Sequence, residues 1–231
     1  MPLQAMLVSS LEKVFPDKTP KASQTRLTVL KNDTLSYQIA LRLEDYPDAR
    51  LKVDIRIDSP LADQISIRRV DLVPSMLPLT DSRDGNFLSD QPGLYPDLLS
   101  PLPDNSSLIR KNCWTAFWVE LDTDESTQAG TFPVTVSFAP VSDDVEPIHV
   151  RTELEVIDAL LPKQALTVTE WFHGDCIADY YKIPVFSETH WEYMRRQIEF
   201  GVRKGLNMIL TPIFTPASHS LKSLIVSCSI I

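Results

Sequence analysis

Thirteen residues near the end of the chain, "TEWFHGDCIADYY" at 169–181, gather the rings of Trp171, Phe172, Tyr180 and Tyr181 with His173, Asp175, Asp179 and Cys176. Aromatic faces next to hydrogen-bonding groups read as a substrate-facing loop. Two sharper chemistries are weighed and set aside. His173, Asp175, Cys176 and His190 match no common zinc spacing, because His190 falls in the first turn of a separate predicted helix, so no metal and no cofactor are expected. Cys176 has no base at a recognisable position and reads as a small packed thiol rather than a nucleophile.

The elements that must position this cluster are legible from periodicity. "ALTVTEWF" is an apolar run suited to a buried strand, and the cluster follows it as a loop. In "SETHWEYMRRQIEFGVRKGLN" the residues Trp191, Met194, Ile198 and Val202 recur at helical spacing. Either Ser187 or Thr189 can cap that helix, Glu192 would complete a capping box with Thr189, and Gly205 suits the position just past its end. "NMILTPIF" reads as a second buried strand, and strand, loop, helix and strand make one βαβ unit with parallel strands.

The first 160 residues follow a period of two. In "TLSYQIALRL" Leu35, Tyr37, Ile39, Leu41 and Leu43 alternate with polar residues, and the same pattern recurs in "RLKVDIRID", "TFPVTVSF" and "IHVRTELEV". "CWTAFWVEL" is apolar on both faces, as a central strand would be. Trp114 and Trp118, four apart, share a strand face and suit a core more than a sugar platform. Roughly seven or eight short strands without an intervening helical period predict an antiparallel β-sandwich. Between Val73 and Asn112 six prolines and two glycines predict a long ordered loop without strands.

The 231 residues, 43% apolar, are enough for at least one full core. A formal charge of -9, from 22 basic and 31 acidic residues, argues against a nucleic-acid or anionic-membrane surface. Three widely spaced cysteines, Cys113, Cys176 and Cys228, form no disulfide framework, and the N-terminus lacks the basic and apolar regions of a signal peptide. A cytoplasmic location and no membrane span are expected.

The runs "GLYPDLL", "TEWFHGDCIADYY" and "FSETHWEYMRRQIEFGVRKGLNMILTPIFTP", behind a sandwich, resemble the bacterial glycoside hydrolase-like proteins with the domain of unknown function 4091, relatives of glycoside hydrolase family 123. The resemblance covers nearly the whole chain up to Pro216. It implies an N-terminal β-sandwich at 1–160, the first βαβ unit of a (β/α)8 barrel at 165–216, and a glycan substrate, containing N-acetylhexosamine in the family 123 relatives. Strand ends of such a barrel face the active site, which makes Trp171, His173 and Asp175 candidate sugar contacts, with Tyr180 and Tyr181 as further choices. An equal alternative for each residue is that Trp171 and Phe172 are core rings and His173 bridges backbone groups.

Beyond Pro216, "ASHSLKSLIVSCSII" departs from the family and reads as the tail left by a shifted frame or a misjoined gene. A barrel takes about 250 residues. An incomplete barrel is therefore expected. Family 123 enzymes use an adjacent Asp-Glu pair on a later strand, and the carboxylates of "DE" at 124–125 and "LED" at 43–45 belong to sandwich turns, so no catalytic residue is assigned and no hydrolysis is expected. The alternative is a non-catalytic carbohydrate-binding or structural sandwich module.

Overall fold

Alternating apolar residues close the first sheets. The computed structural model describes residues 3–76, 89, 91–163, 165–212 and 225–229, and the chain divides into two units, Met1–Pro162 and Lys163–Ile231. In the first unit the strands are β1 (Leu3–Ser9), β2 (Arg26–Lys31), β3 (Thr34–Leu43), β4 (Arg50–Asp58), β5 (Ile65–Ser75), β6 (Gly93–Pro101), β7 (Ser106–Arg110), β8 (Trp114–Asp122), β9 (Gly130–Pro140) and β10 (Ile148–Leu160). They form two five-stranded sheets, ordered β1-β3-β8-β5-β6 and β2-β10-β9-β4-β7. The inward residues of both sheets make one core, in which Ile39, Leu41, Phe117 and Leu121 of the first meet Val53, Val134, Phe138 and Leu154 of the second. This is a sandwich of mainly antiparallel sheets.

Strand β8 is central, as its two apolar faces predict. Phe117, Val119 and Leu121 enter the main core, while Trp114 and Ala116 pack on the other face with Val8, Val14 and Ala40. The loop after β1 is pinned there by buried Gln38, whose Nε2 donates to the carbonyls of Ser9 at 2.9 Å and Glu12 at 2.8 Å.

Two expectations need correction. Strand β2 pairs with β10 in parallel, so the sandwich is not purely antiparallel. Alternation reports which side chains are buried and is blind to strand direction. The Pro-rich interval after Val73 holds two strands rather than a bare loop, β6 on β5 and β7 on β4; residues 77–88 and 90 of it lie outside the described residues. The prolines conceal β6 from a sequence pattern. They are tolerated because β6 is an edge strand and Pro96 stands opposite Leu72, where the register shifts.

Tyr37, 2% exposed, carries its hydroxyl 3.5 Å from Thr152 Oγ1 inside the core. Burial pushes its phenol above the ordinary value of 10.0, with the Thr152 contact pulling weakly the other way. The unfolded chain then ionises first, so this contribution to stability is intact below about pH 10 and is lost as pH rises through the higher folded value. Urea midpoints measured between about pH 9 and pH 11 are expected to fall more steeply for the native chain than for Tyr37→Phe.

The second unit contains β11 (Thr169–Trp171), α1 (Gly174–Tyr181), α2 (Glu188–Arg203), β12 (Met208–Pro212) and β13 (Ile225–Ser229). β11 and β12 are parallel, as a βαβ unit requires. β13 runs antiparallel on the other side of β12, which differs from the all-parallel order of a (β/α)8 barrel. Of the segment 217–231 only this strand is described. β11 is shorter and wetter than its apolar run predicts, with Leu166 71% and Trp171 52% exposed.

Part of the predicted loop is helix. α1 buries Gly174 and Ala178, four apart, and closes on Lys182, whose φ of 55° lets its N–H reach the Ala178 carbonyl. Two turns opening on a glycine carry too little periodicity to be read beforehand. At α2 the choice of cap is resolved in favour of Ser187, which accepts from the His190 N–H at 3.2 Å. Thr189 lies inside the helix, and Glu192 binds Arg195 and Arg196 instead of closing a capping box. Gly205 has φ 98° and follows the helix end, as predicted.

Candidate functional site

The strand end at Trp171 and the helix start that follows it bring the first two predicted residues together. The rings of Trp171 and His173 are stacked, with centroids 6.0 Å apart and planes 19° from parallel. His173 is the N-cap residue of α1 but its ring caps nothing, which leaves its nitrogens for a ligand. Trp171 is half exposed, so this pair presents an aromatic face with a hydrogen-bonding edge.

The other three predicted residues stand elsewhere. Tyr180 is 79% exposed on the outer side of α1. Tyr181 stacks on Tyr193 of α2 at 4.3 Å with planes 10° apart, and the Arg196 guanidinium lies 5.8 Å over the Tyr193 ring. Its first role is to join the two helices. Asp175, in the first turn of α1, has a buried Oδ1 without a hydrogen-bond partner.

Asp175 borders a cavity of about 470 Å³ that Phe172, His190, Met194, Ile198 and Ile209 also line. Because side chains alternate along a strand, Ile209 and Thr211 face this cavity while Trp171 and its register partner Leu210 lie on the opposite face of the sheet. The unit therefore has two distinct surfaces: an exposed ring pair and an apolar helix-to-sheet cavity. Glu199, a second carboxylate at the cavity, is held by Arg195 at 2.6 Å.

Several of these residues escaped the sequence. His190 is the buried partner of the helix, 1% exposed, and it joins the predicted Trp191, Met194 and Ile198 at the cavity, whereas Val202 is outside that lining. The spacing of four from His190 to Met194 to Ile198 was the available signal. Cys176 is exposed, not packed, because its position on α1 turns away from buried Gly174 and Ala178. Among the described residues no three His, Cys, Asp or Glu side chains form a metal-binding group, and no helix is long and apolar enough to cross a membrane.

Residues 171–230 match the model of the glycoside hydrolase 123 catalytic domain. The structure is similar to that of a family 123 glycoside hydrolase from Clostridium perfringens, studied for glycolipid glycan hydrolysis, with a TM-score of 0.70 and 17% identity over 89% of this chain. The chain is related to glycoside hydrolase family 123. It spans 37% of the length of that enzyme. At 17% identity the structural likeness speaks for the fold, and the family 123 model speaks for the segment that begins at Trp171 and runs through residues 217–230. The PapD-like domain 7 of human CEP192 (10% identity, 68% of this chain, 87% of that one) and the periplasmic chaperone SfaE (11%, 73% and 66%) each reach a TM-score of 0.31, too low to carry an argument. No curated protein matches the chain.

Proposed function

We propose that this chain is the N-terminal part of a glycan-acting, glycoside hydrolase-like protein whose substrates contain N-acetylhexosamine, and that the chain by itself binds glycan without hydrolysing it. The carrying observation is the family 123 catalytic match, which begins at the exposed Trp171–His173 pair. In this reading residues 1–160 are a structural sandwich, and β11, α2 and β12 are the first elements of a barrel. The parallel pairing of β11 with β12 supports the barrel assignment.

Trp171 stacks on a sugar face at the C-terminal end of its strand, where barrel enzymes hold substrate, and His173 bonds a hydroxyl. Asp175 at the cavity, Tyr181 stacked on Tyr193 and exposed Tyr180 stand apart from this pair and are left out of the proposed contact. Hydrolysis by two carboxyl groups needs one to protonate the leaving oxygen and one to attack or activate water. Glu199 is engaged by Arg195, which leaves Asp175 as the unengaged carboxylate among the cavity residues and supports the non-hydrolytic reading. The free thiols of Cys113 and Cys176 support a cytoplasmic setting.

The test is direct. Nitrophenyl N-acetyl-β-galactosaminide is expected to release no nitrophenolate above the blank, and release would overturn the inactive reading. N-acetylgalactosamine is expected to shift the tryptophan fluorescence, with Trp171→Ala weakening binding by roughly tenfold, equivalent to about 1.4 kcal/mol. Equal binding by Trp171→Ala would remove the ring pair from the site.

A further inference from the structure

The cavity of the second unit is large for so small a body. Protein interiors seldom hold voids bigger than a water molecule, yet about 470 Å³ lies between α2 and β12, a volume in the range of small-molecule sites. Met194 and Ile198 line it from the helix, Ile209 from the strand and Phe172 from the turn after β11. Phe186 and Trp191 stand at its open side: both are about half exposed, and their rings stack with centroids 5.6 Å apart and planes at 25°. These walls suit an apolar body.

Asp175 brings an unpartnered acceptor to them. Its Oδ1 is buried and makes no hydrogen bond, although buried polar atoms are almost always satisfied. The neighbouring charged and ring groups are engaged within the protein. His190 uses both ring nitrogens, on the Phe186 N–H and the Gly174 carbonyl, and Arg195 holds Glu199 at 2.6 Å and Glu192 at 2.8 Å. The lining sets two carboxylates, Asp175 and Glu199, against one guanidinium, and His190, which accepts at Nδ1, adds no charge. The wall is therefore negative on balance, and the unpaired oxygen points to a donor that comes from outside the chain.

From this arrangement we infer that the cavity binds a small organic ammonium, with an aromatic or alkyl body on Met194, Ile198 and Ile209 and its cationic head on Asp175. An ammonium supplies the charge-assisted hydrogen bond that Oδ1 lacks and offsets the negative balance of the wall. A carboxylate ligand would meet like charge, and a wholly apolar one would leave Oδ1 buried and unpaired. Ile209 and Trp171 lie on opposite faces of the sheet, so the site is independent of the glycan contact proposed at the ring pair.

The experiment uses the full ¹⁵N-labelled chain, titrated at constant ionic strength with phenethylammonium, methylammonium and phenylpropionate. Methylammonium has the charge without the body, and phenylpropionate has the body with the opposite charge. Phenethylammonium is expected to shift the amides of Asp175, Met194 and Ile209, and the other two are expected to leave them unmoved. Asp175→Asn keeps the shape of the side chain, removes its charge, and should weaken phenethylammonium by about tenfold. Near-ultraviolet dichroism of the ligand-free variant is expected to match the native chain, which separates lost binding from lost folding. If that signal is lost, the contrast between ammonium and carboxylate on the native chain decides, because it needs no substitution. Equal shifts with phenylpropionate would make the cavity an apolar void without preference for charge. Unchanged affinity in a natively folded Asp175→Asn would remove the carboxylate from the site, and shifts confined to Trp171 and His173 would move the amine to the ring pair. Each of these overturns the proposal, as does the absence of shifts with phenethylammonium.

Discussion

Phe117→Ala is expected to lower the stability of the first unit by about 3–5 kcal/mol, the usual cost of deleting a buried ring. Phe117 on β8 and Phe138 on β9 come from opposite sheets, both are fully buried, and their rings meet with centroids 5.2 Å apart and planes at 49°. The contact is one of the places where the two sheets hold each other. Against a total stability of about 5–15 kcal/mol, the loss is enough to leave a large unfolded fraction at moderate temperature. Urea unfolding followed by far-ultraviolet circular dichroism measures it. The double variant with Phe138→Ala should cost less than the sum of the singles by about 0.5–1.5 kcal/mol, the coupling of an aromatic pair. Strict additivity would mean that the rings fill space without interacting.

The second large effect belongs to His190→Ala. His190 Nδ1 accepts the Phe186 N–H at 2.9 Å, and Nε2 lies 2.6 Å from the Gly174 carbonyl. An acceptor at Nδ1 requires the proton on Nε2, so the neutral ring donates to Gly174 and ties the start of α1 to the segment before α2. It also holds Phe186 at φ 61°, a left-handed conformation that costs a bulky residue strain. Removing the ring leaves a buried N–H unpaired and a void beside Met194, for a loss of roughly 3 kcal/mol in the second unit. His190→Gln restores a donor toward Gly174 and should recover about 1 kcal/mol of it. Near-ultraviolet dichroism of the aromatic cluster reads the transition, and the first unit's melting should be unaffected.

These two predictions mark how differently the units could be read in one dimension. Alternation placed Tyr37, Ile39, Leu41 and Leu43 inward, and Leu41 and Leu43 are fully buried. Pattern also identified β8 as central, α2 with Ser187 among its two candidate caps, and Gly205 at its end, because each follows from local backbone geometry and from which side of an element is wet. Pattern was silent wherever the answer was a matter of partners. Nothing in "RLTVLK" declares that β2 pairs in parallel, and the prolines of β6 look like loop until an edge position excuses their missing N–H groups.

The candidate site divides along the same line. Trp171 and His173, two apart, were legible as neighbours, and they stack. Tyr181 meets Tyr193, and Asp175 shares a cavity with Ile209, only because helices and strand fold back on each other. By itself the sequence determined the mainly β class, since burial period is a local property, and the resemblance carried by its motifs pointed to the family 123 relationship. Only the tertiary structure decided which polar and aromatic residues stand together and that His190 holds the second unit from inside, because hydrogen-bond partners are chosen in three dimensions.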